Sequence, residues 1–265
     1  MITSFSAFAQ NTKTINSENY EIVIAGNYQA SSFSRFFIGD HWRNLWITPI
    51  KVPILNIKTF AGGLKPIEKG GGLQTNSLKF TGNDGKQYKF RSIDKDVKRS
   101  LPAEFKESIV ADVMQDQISV TNPSSSVVVA KLMDAVNIIS AAPKIYVMPD
   151  DKKLGEFKDE FAGVLGTMEE DPEEYDDRKL NFADADNIIS TFKLFEKLGK
   201  DNDEIIDASE YLKARLLDIL IGDRDRHAGQ WKWAGYKKEK KRIWKPIPKD
   251  RDFAFPLYDG LFPRI

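Results

Sequence analysis

The sequence predicts an α+β fold in two lobes, an antiparallel-sheet N-lobe followed by a mainly helical C-lobe. Three observations carry this expectation: a strand-rich first half built around an Asp-Gly turn, an acidic and proline-bearing shift of composition after Met168, and a capped helix from Asp207 that leads into a second hairpin. On this division residues 1–16 read as a truncated signal peptide or disordered tail, 17–168 as the N-lobe with a glycine-rich loop, and 169–265 as the C-lobe with the catalytic and metal motifs.

In the N-lobe, Ser77 to Phe80 and Gln87 to Ser92 read as strands joined at Asn83-Asp84-Gly85, because Asp-Gly between β-rich runs favours a tight hairpin. Side chains alternate along a strand, so Lys89 and Arg91 share one face. Ahead of the hairpin, Gly70, Gly71, Gly72 and Gln74 make a loop whose backbone N–H groups can approach a phosphate closely. Glu104 to Val120 has helical periodicity, with Phe105, Ile109, Val110, Val113 and Met114 on one apolar face. Asp116 falls inside that arc, and an inward carboxylate needs a partner, for which Arg91 is a candidate; capping of a neighbouring element or a partly wet edge is the alternative. Lys144 to Met148 and Phe161 to Met168 read as further strands. The aromatic segment before them contains His41, expected as a packed, hydrogen-bonded histidine rather than a ligand.

In the C-lobe, Asp207 and Glu210 stand in capping-box positions, and Leu212, Leu216, Ile219 and Leu220 are expected as the buried face of the helix that follows. That helix ends at Gly222 and delivers Asp223-Arg224-Asp225-Arg226-His227-Ala228-Gly229-Gln230 onto a loop. A hairpin, Trp231 to Trp233 and Ile243 to Lys245, then carries the chain to Asp250 and Asp252. Asp225 and Gln230 at one end of the hairpin and the two later carboxylates at the other can converge on one Mg²⁺ and a phosphate, which is most of what phosphoryl transfer requires.

Composition sets outer limits. The 265 residues balance 39 Lys plus Arg against 39 Asp plus Glu, so bulk charge predicts neither nucleic-acid nor membrane attraction. Cysteine is absent, which excludes disulfides and thiolate metal sites. No apolar run reaches the length of a transmembrane helix. Ala7-Phe8-Ala9 has the small-x-small pattern of a signal-peptidase site, so the N-terminus reads either as the end of a secretory signal or as a frayed cytosolic start. Export to the periplasm, outer membrane or cell surface is the reading adopted, with the cytoplasm as the alternative.

The Gly-Asp-Arg-Asp-Arg-His stretch at 222–227, Pro248-Lys249-Asp250-Arg251-Asp252, Phe90-Arg91-Ser92, Asp116-Gln117 and the glycine loop together resemble atypical kinases of the spore-coat CotH and HipA type. The chain looks closest to a kinase-like module of bacterial envelope proteins, often joined to a phosphoesterase domain or an outer-membrane barrel. The resemblance implies an atypical protein-kinase-like fold that binds ATP with Mg²⁺ or Mn²⁺ and acts on an unknown hydroxyl acceptor. Carried over, Asp225 orients the acceptor hydroxyl and His227 braces the loop, while Gln230, Asp250 and Asp252 are the metal ligands. Gly70, Gly71, Gly72, Gln74, Lys89, Arg91, Asp116 and Met168 line the nucleotide. Arg91 stands where the family more often has Lys, and Gln230 where it has Asn or Glu. Fewer helices follow Asp252 than the family leads one to expect, so the resemblance implies a truncated C-lobe. Two further readings remain open: a kinase-shaped binding module without turnover, and a metal-dependent phosphohydrolase.

Overall fold

The computed structural model describes residues 13–17, 19–70 and 75–262. The chain is a mixed α+β structure with three sheets. The first is antiparallel, with β1 (Lys13–Ser17), β2 (Tyr20–Val23) and β3 (Ile50–Pro53) in that order. The second has β4 (Leu64–Gly70), β5 (Ser77–Gly82), β6 (Gln87–Ser92), β7 (Lys144–Val147) and β8 (Leu165–Glu170) in the order β4-β5-β6-β8-β7, antiparallel throughout. The third has β9 (Asn187–Ser190), β10 (Glu204–Ile206), β11 (Trp231–Lys238) and β12 (Lys241–Pro248) in the order β10-β12-β11-β9, with β10 and β12 parallel. Seven α-helices accompany them among the described residues: α1 (Ser32–Phe37), α2 (Arg43–Ile47), α3 (Ile109–Asp116), α4 (Ser125–Ala135), α5 (Lys158–Phe161), α6 (Thr191–Leu198) and α7 (Ala208–Leu220). None is long and apolar enough to cross a membrane.

Local chemistry explains the elements that the sequence announced. The β5–β6 turn closes with Gly85 at φ +84°, a left-handed conformation that glycine adopts without penalty, and the Asp84 carboxylate accepts from the Lys86 N–H at 3.0 Å. Asp207 caps α7 by accepting from the Glu210 N–H at 3.1 Å. The reciprocal half of the box is replaced: the Asp207 N–H donates to the Trp244 carbonyl, and Glu210 pairs with Lys213. At its other end α7 stops in a Schellman arrangement, with Gly222 at φ +66°, its N–H on the Ile219 carbonyl and the Asp223 N–H on the Asp218 carbonyl.

Two helical faces turn out the opposite way from the pattern. In α7 the buried residues are Ala214, Leu217 and Asp218, continued by Ile221, whereas Leu212, Leu216, Ile219 and Leu220 face outward. The i, i+3, i+7 set of Ala214, Leu217 and Ile221 packs with Trp231, Trp233 and Trp244 of the third sheet and with Val129 and Met133 of α4. The expected 104–120 helix is broken. Ser108 starts a new cap by accepting from the Ala111 N–H, α3 runs only from Ile109 to Asp116, and 3₁₀ turns flank it. Phe105, Ile109, Val110, Val113 and Met114 are exposed, and the buried side is Ala111 with Ile118 and Val120.

The expected boundary at 168/169 falls inside β8, and the chain leaves the sheet only at Asp171, whose N–H is held by the Gln87 carbonyl. The cores also cross that boundary, since α4 belongs to the cluster around the C-terminal tryptophans. A second core fills the other side of the five-stranded sheet with Leu78, Phe80, Phe90, Phe161 and Met168.

Candidate functional site

The β11–β12 hairpin is the device that assembles the site. Its strands pair in register from Trp231 with Pro248 to Lys238 with Lys241, so the loop before Trp231 and the segment after Pro248 emerge side by side. Arg226 fastens them: its guanidinium donates to the Lys249 carbonyl at 2.7 Å and to the Gln230 carbonyl at 3.1 Å, and lies 4.7 Å from the centroid of the Trp231 ring. Beneath this lies a buried ionic network. Asp218 of α7 pairs with Arg215 and Arg251, and Asp223 with Arg251 at 3.0 Å. Burial pushes the Asp223 carboxyl up against the pull of Arg226 and Arg251, and burial together with Arg251 lowers Arg226 to about 10.

Across a narrow cleft stands the five-stranded sheet. Phe90 points into the core, so its neighbours Lys89 and Arg91 share the other face, as alternation requires. Arg91 spans the cleft, 3.3 Å from Glu169 on β8 and 3.3 Å from the Asp250 carboxylate. Just past β6, Lys95 reaches Asp252 at 2.8 Å. Burial alone would raise the Asp250 carboxyl, but Arg91 and Lys95 outweigh it and hold it low. Burial dominates at Glu169, whose carboxyl is raised, and at Lys89 and Lys249, whose ammonium groups are lowered. Asp250 also sits at φ +57°, a strained setting for a side chain other than glycine's, of the kind that collects at functional sites. The cleft is partly open to solvent, with Arg91, Lys95, Glu169, Lys249, Asp250 and Asp252 among its lining residues. A separate depression of about 410 Å³ between Ile38, Val113, Gln117, Tyr258 and Phe262 has no ionisable group apart from the Tyr258 phenol.

The predicted site residues therefore divide. Arg91, Asp250 and Asp252 meet in one cleft. Asp225 and His227 are exposed on the adjoining loop, 3.9 Å apart, and buried Gln230 donates to Asp225 at 3.4 Å while lying beside Asp250 as well. Gly70 ends β4 opposite Ser77. Gly71, Gly72 and Gln74 lie outside the described residues.

Two expectations are corrected. Asp116 does not face Arg91; Arg43, wholly buried, grips both its oxygens at 2.6 Å. That partner comes from the helix α2 rather than from a strand. Met168 does not line the cleft either, because on β8 it alternates with Thr167 and Glu169 and points into the opposite core. His41 is buried and hydrogen-bonded to Ser119 and to the Ile38 carbonyl, as expected.

The sequence reading missed Lys95, Glu169, Lys249 and Arg226. Asp218 was missed as well, because it lies on the stripe of Ala214, Leu217 and Ile221, which the apolar pattern had placed on the outer side. Lys95 carried no periodic signal, since it lies beyond the strand end.

Oxygen donors from two aspartates and a carboxamide suit a hard cation. Among the described residues no three His, Cys, Asp or Glu side chains converge to cage a metal by themselves. Mg²⁺ commonly takes one or two carboxylates and completes its shell with water and substrate phosphates, so the donor set fits that ion in company with a phosphate. Comparison with known proteins supplies no family: no protein-family model, no curated protein and no solved structure matches the chain.

Proposed function

We propose that the chain is an atypical kinase-like, bilobal phosphotransferase module that binds a nucleoside triphosphate with Mg²⁺. The observation that carries this reading is the meeting of Arg91, from the antiparallel sheet, with Asp250 and Asp252, from the segment that Arg226 ties to the Asp225 loop.

Asp250 and Asp252, with Gln230, are the residues that would hold the ion, which would neutralise phosphate charge. Arg91 would bind phosphate oxygens through its planar fork. Asp225, exposed on the loop that Arg226 ties to the Asp250 segment, would accept the proton of the acceptor hydroxyl and fix its direction of attack. The buried network under Arg226 keeps both loops in register, so that positioning is prepared before the ligand arrives.

A second reading, a kinase-shaped binding module without turnover, draws on a specific observation: both metal-ligand carboxylates are already engaged by cations of the chain. Thermal unfolding of the purified chain with ATP, Mg²⁺, both or neither tests the binding common to the two readings. A rise in Tm with both together supports it, because a ligand for the native state alone must stabilise that state. No change at millimolar ATP and Mg²⁺ overturns it. Labelled-phosphate transfer to any acceptor, or ATP hydrolysis, then separates enzyme from binder.

A further inference from the structure

Among the charged groups lining the cleft are two pairs, Arg91 with Asp250 and Lys95 with Asp252, Arg91 also lying against Glu169. Each pair joins the sheet side of the cleft to the segment after β12. Lys95 is no free surface lysine: its side chain is 16% exposed, and the Asp252 carboxylate outweighs the burial that would otherwise disfavour its charge. A ligand that engages these four side chains does so by separating the pairs.

The ligand that can do so without leaving an unpaired buried charge must bring charges of both signs. A metal ion entering alone would face Arg91 and Lys95 as well as the carboxylates, and a polyphosphate entering alone would face Asp250 and Asp252. Together they satisfy all four groups.

We propose that Lys95 is the second phosphate-binding cation of this site, and that Lys95 and Arg91 exchange partners when the ligand binds. They release Asp252 and Asp250 to a divalent cation and take up the oxygens of a polyphosphate. The inference rests on the phosphotransferase reading and adds a residue and an order of events to it. In the ligand-free protein the two cations occupy the metal's carboxylates, and the metal and polyphosphate bind with positive coupling.

The test uses the full chain and two separate probes, Mn²⁺ alone by electron paramagnetic resonance and inorganic triphosphate in EDTA by calorimetry. Lys95→Gln should tighten Mn²⁺ binding and weaken triphosphate binding, each by about tenfold, the factor that corresponds to one charge-assisted hydrogen bond. Asp252→Asn should act in the opposite sense, tightening triphosphate by freeing Lys95. Lys95→Arg should stay near the wild type for both probes. The exchange is overturned if Lys95→Gln leaves Mn²⁺ affinity unchanged, or if Asp252→Asn weakens triphosphate binding. Should Lys95→Gln fail to fold, as judged by circular dichroism, the Asp252→Asn measurement decides alone. If the reciprocal changes occur but ATP binds no better than triphosphate, the exchange stands and the nucleotide reading falls. If ATP with Mn²⁺ binds the wild type while Lys95→Gln leaves Mn²⁺ alone unaffected, the nucleotide reading stands and the exchange falls.

Discussion

The guanidinium of Arg226 donates to the main-chain carbonyl of Lys249, 23 positions further along the chain and on the far side of the hairpin, at 2.7 Å. This is the bond by which the Asp225 loop and the Asp250–Asp252 segment become one object. Because its acceptors are backbone carbonyls, it positions both motifs whatever side chains they carry.

Arg226→Ala should therefore destabilise the fold and loosen the site together. Removing one member of a buried ionic network typically costs ~3–5 kcal/mol, because the charges left behind lose their compensation. Here Asp218 and Asp223 would keep Arg251 and Arg215 but lose a third cation. Arg226→Lys should rescue little, since an ammonium cannot reproduce the fork that serves Gln230 and Lys249 at once. Urea unfolding of the three proteins checks this, and a lysine variant as stable as the wild type would refute it.

The pairing of Asp116 with Arg43 predicts a contrast between two variants. Asp116→Ala strands a fully buried guanidinium and should cost ~3–5 kcal/mol. Arg91→Gln, in the cleft, should cost less than about half of that, because it bridges two carboxylates that face a partly open space. Equal losses in chemical denaturation would mean that the two arginines are equally structural.

Asp94 sets a pH dependence. Burial raises its carboxyl to about 6, against the hydrogen bond donated by the Tyr28 hydroxyl. The unfolded value is ~3.9, so between about pH 4 and 6 the native state holds more protons than the unfolded chain. Stability from this group is thus greatest in acid and declines as pH rises through that window, by at most ~3 kcal/mol for a shift of about two units. Asp94→Asn keeps an acceptor for Tyr28 and removes the titration. The difference in unfolding free energy between variant and wild type should grow from pH 4 to pH 7 in the variant's favour, and a constant difference would exclude the effect.

Asp225 and Asp252 should separate catalysis from binding. Asp225→Asn should abolish phosphoryl transfer with nucleotide affinity nearly intact, because the carboxylate faces solvent on the adjoining loop and is assigned to the acceptor. Asp252→Asn should instead weaken Mg²⁺-dependent nucleotide binding by removing an anionic oxygen ligand. Affinities by calorimetry and transfer by labelled phosphate give the two readouts. Loss of nucleotide binding in Asp225→Asn would reassign that residue to the metal.

Both hairpins, the Asp207 cap and the Gly222 stop were legible in the sequence, and so was the side-by-side emergence of the segments that carry the last two motifs. Each is settled within a few residues: a turn that needs φ > 0, a carboxylate three positions from an orphan N–H, two strands whose pairing brings their ends together. The packed role of His41 was legible for a related reason, being surrounded by aromatic residues.

What only the tertiary structure decided is which of two competing arrangements each element adopts. α7 carries apolar residues on more than one side, and the tryptophans of a distant hairpin select the Ala214–Leu217–Ile221 stripe. Asp116 demands a cation, but its sequence neighbourhood cannot say whether that cation is Arg91 or Arg43. Met168 alternates with Thr167 and Glu169, and the side of the sheet it takes depends on where Phe90 and Phe161 gather. Lys95 gains its partner only because β12 ends beside β6. Local hydrogen bonding and backbone sterics act over a turn or two and are written in the order of residues. Burial and ion pairing depend on surfaces that segments dozens of residues apart present to one another, and the order of residues alone does not contain that geometry.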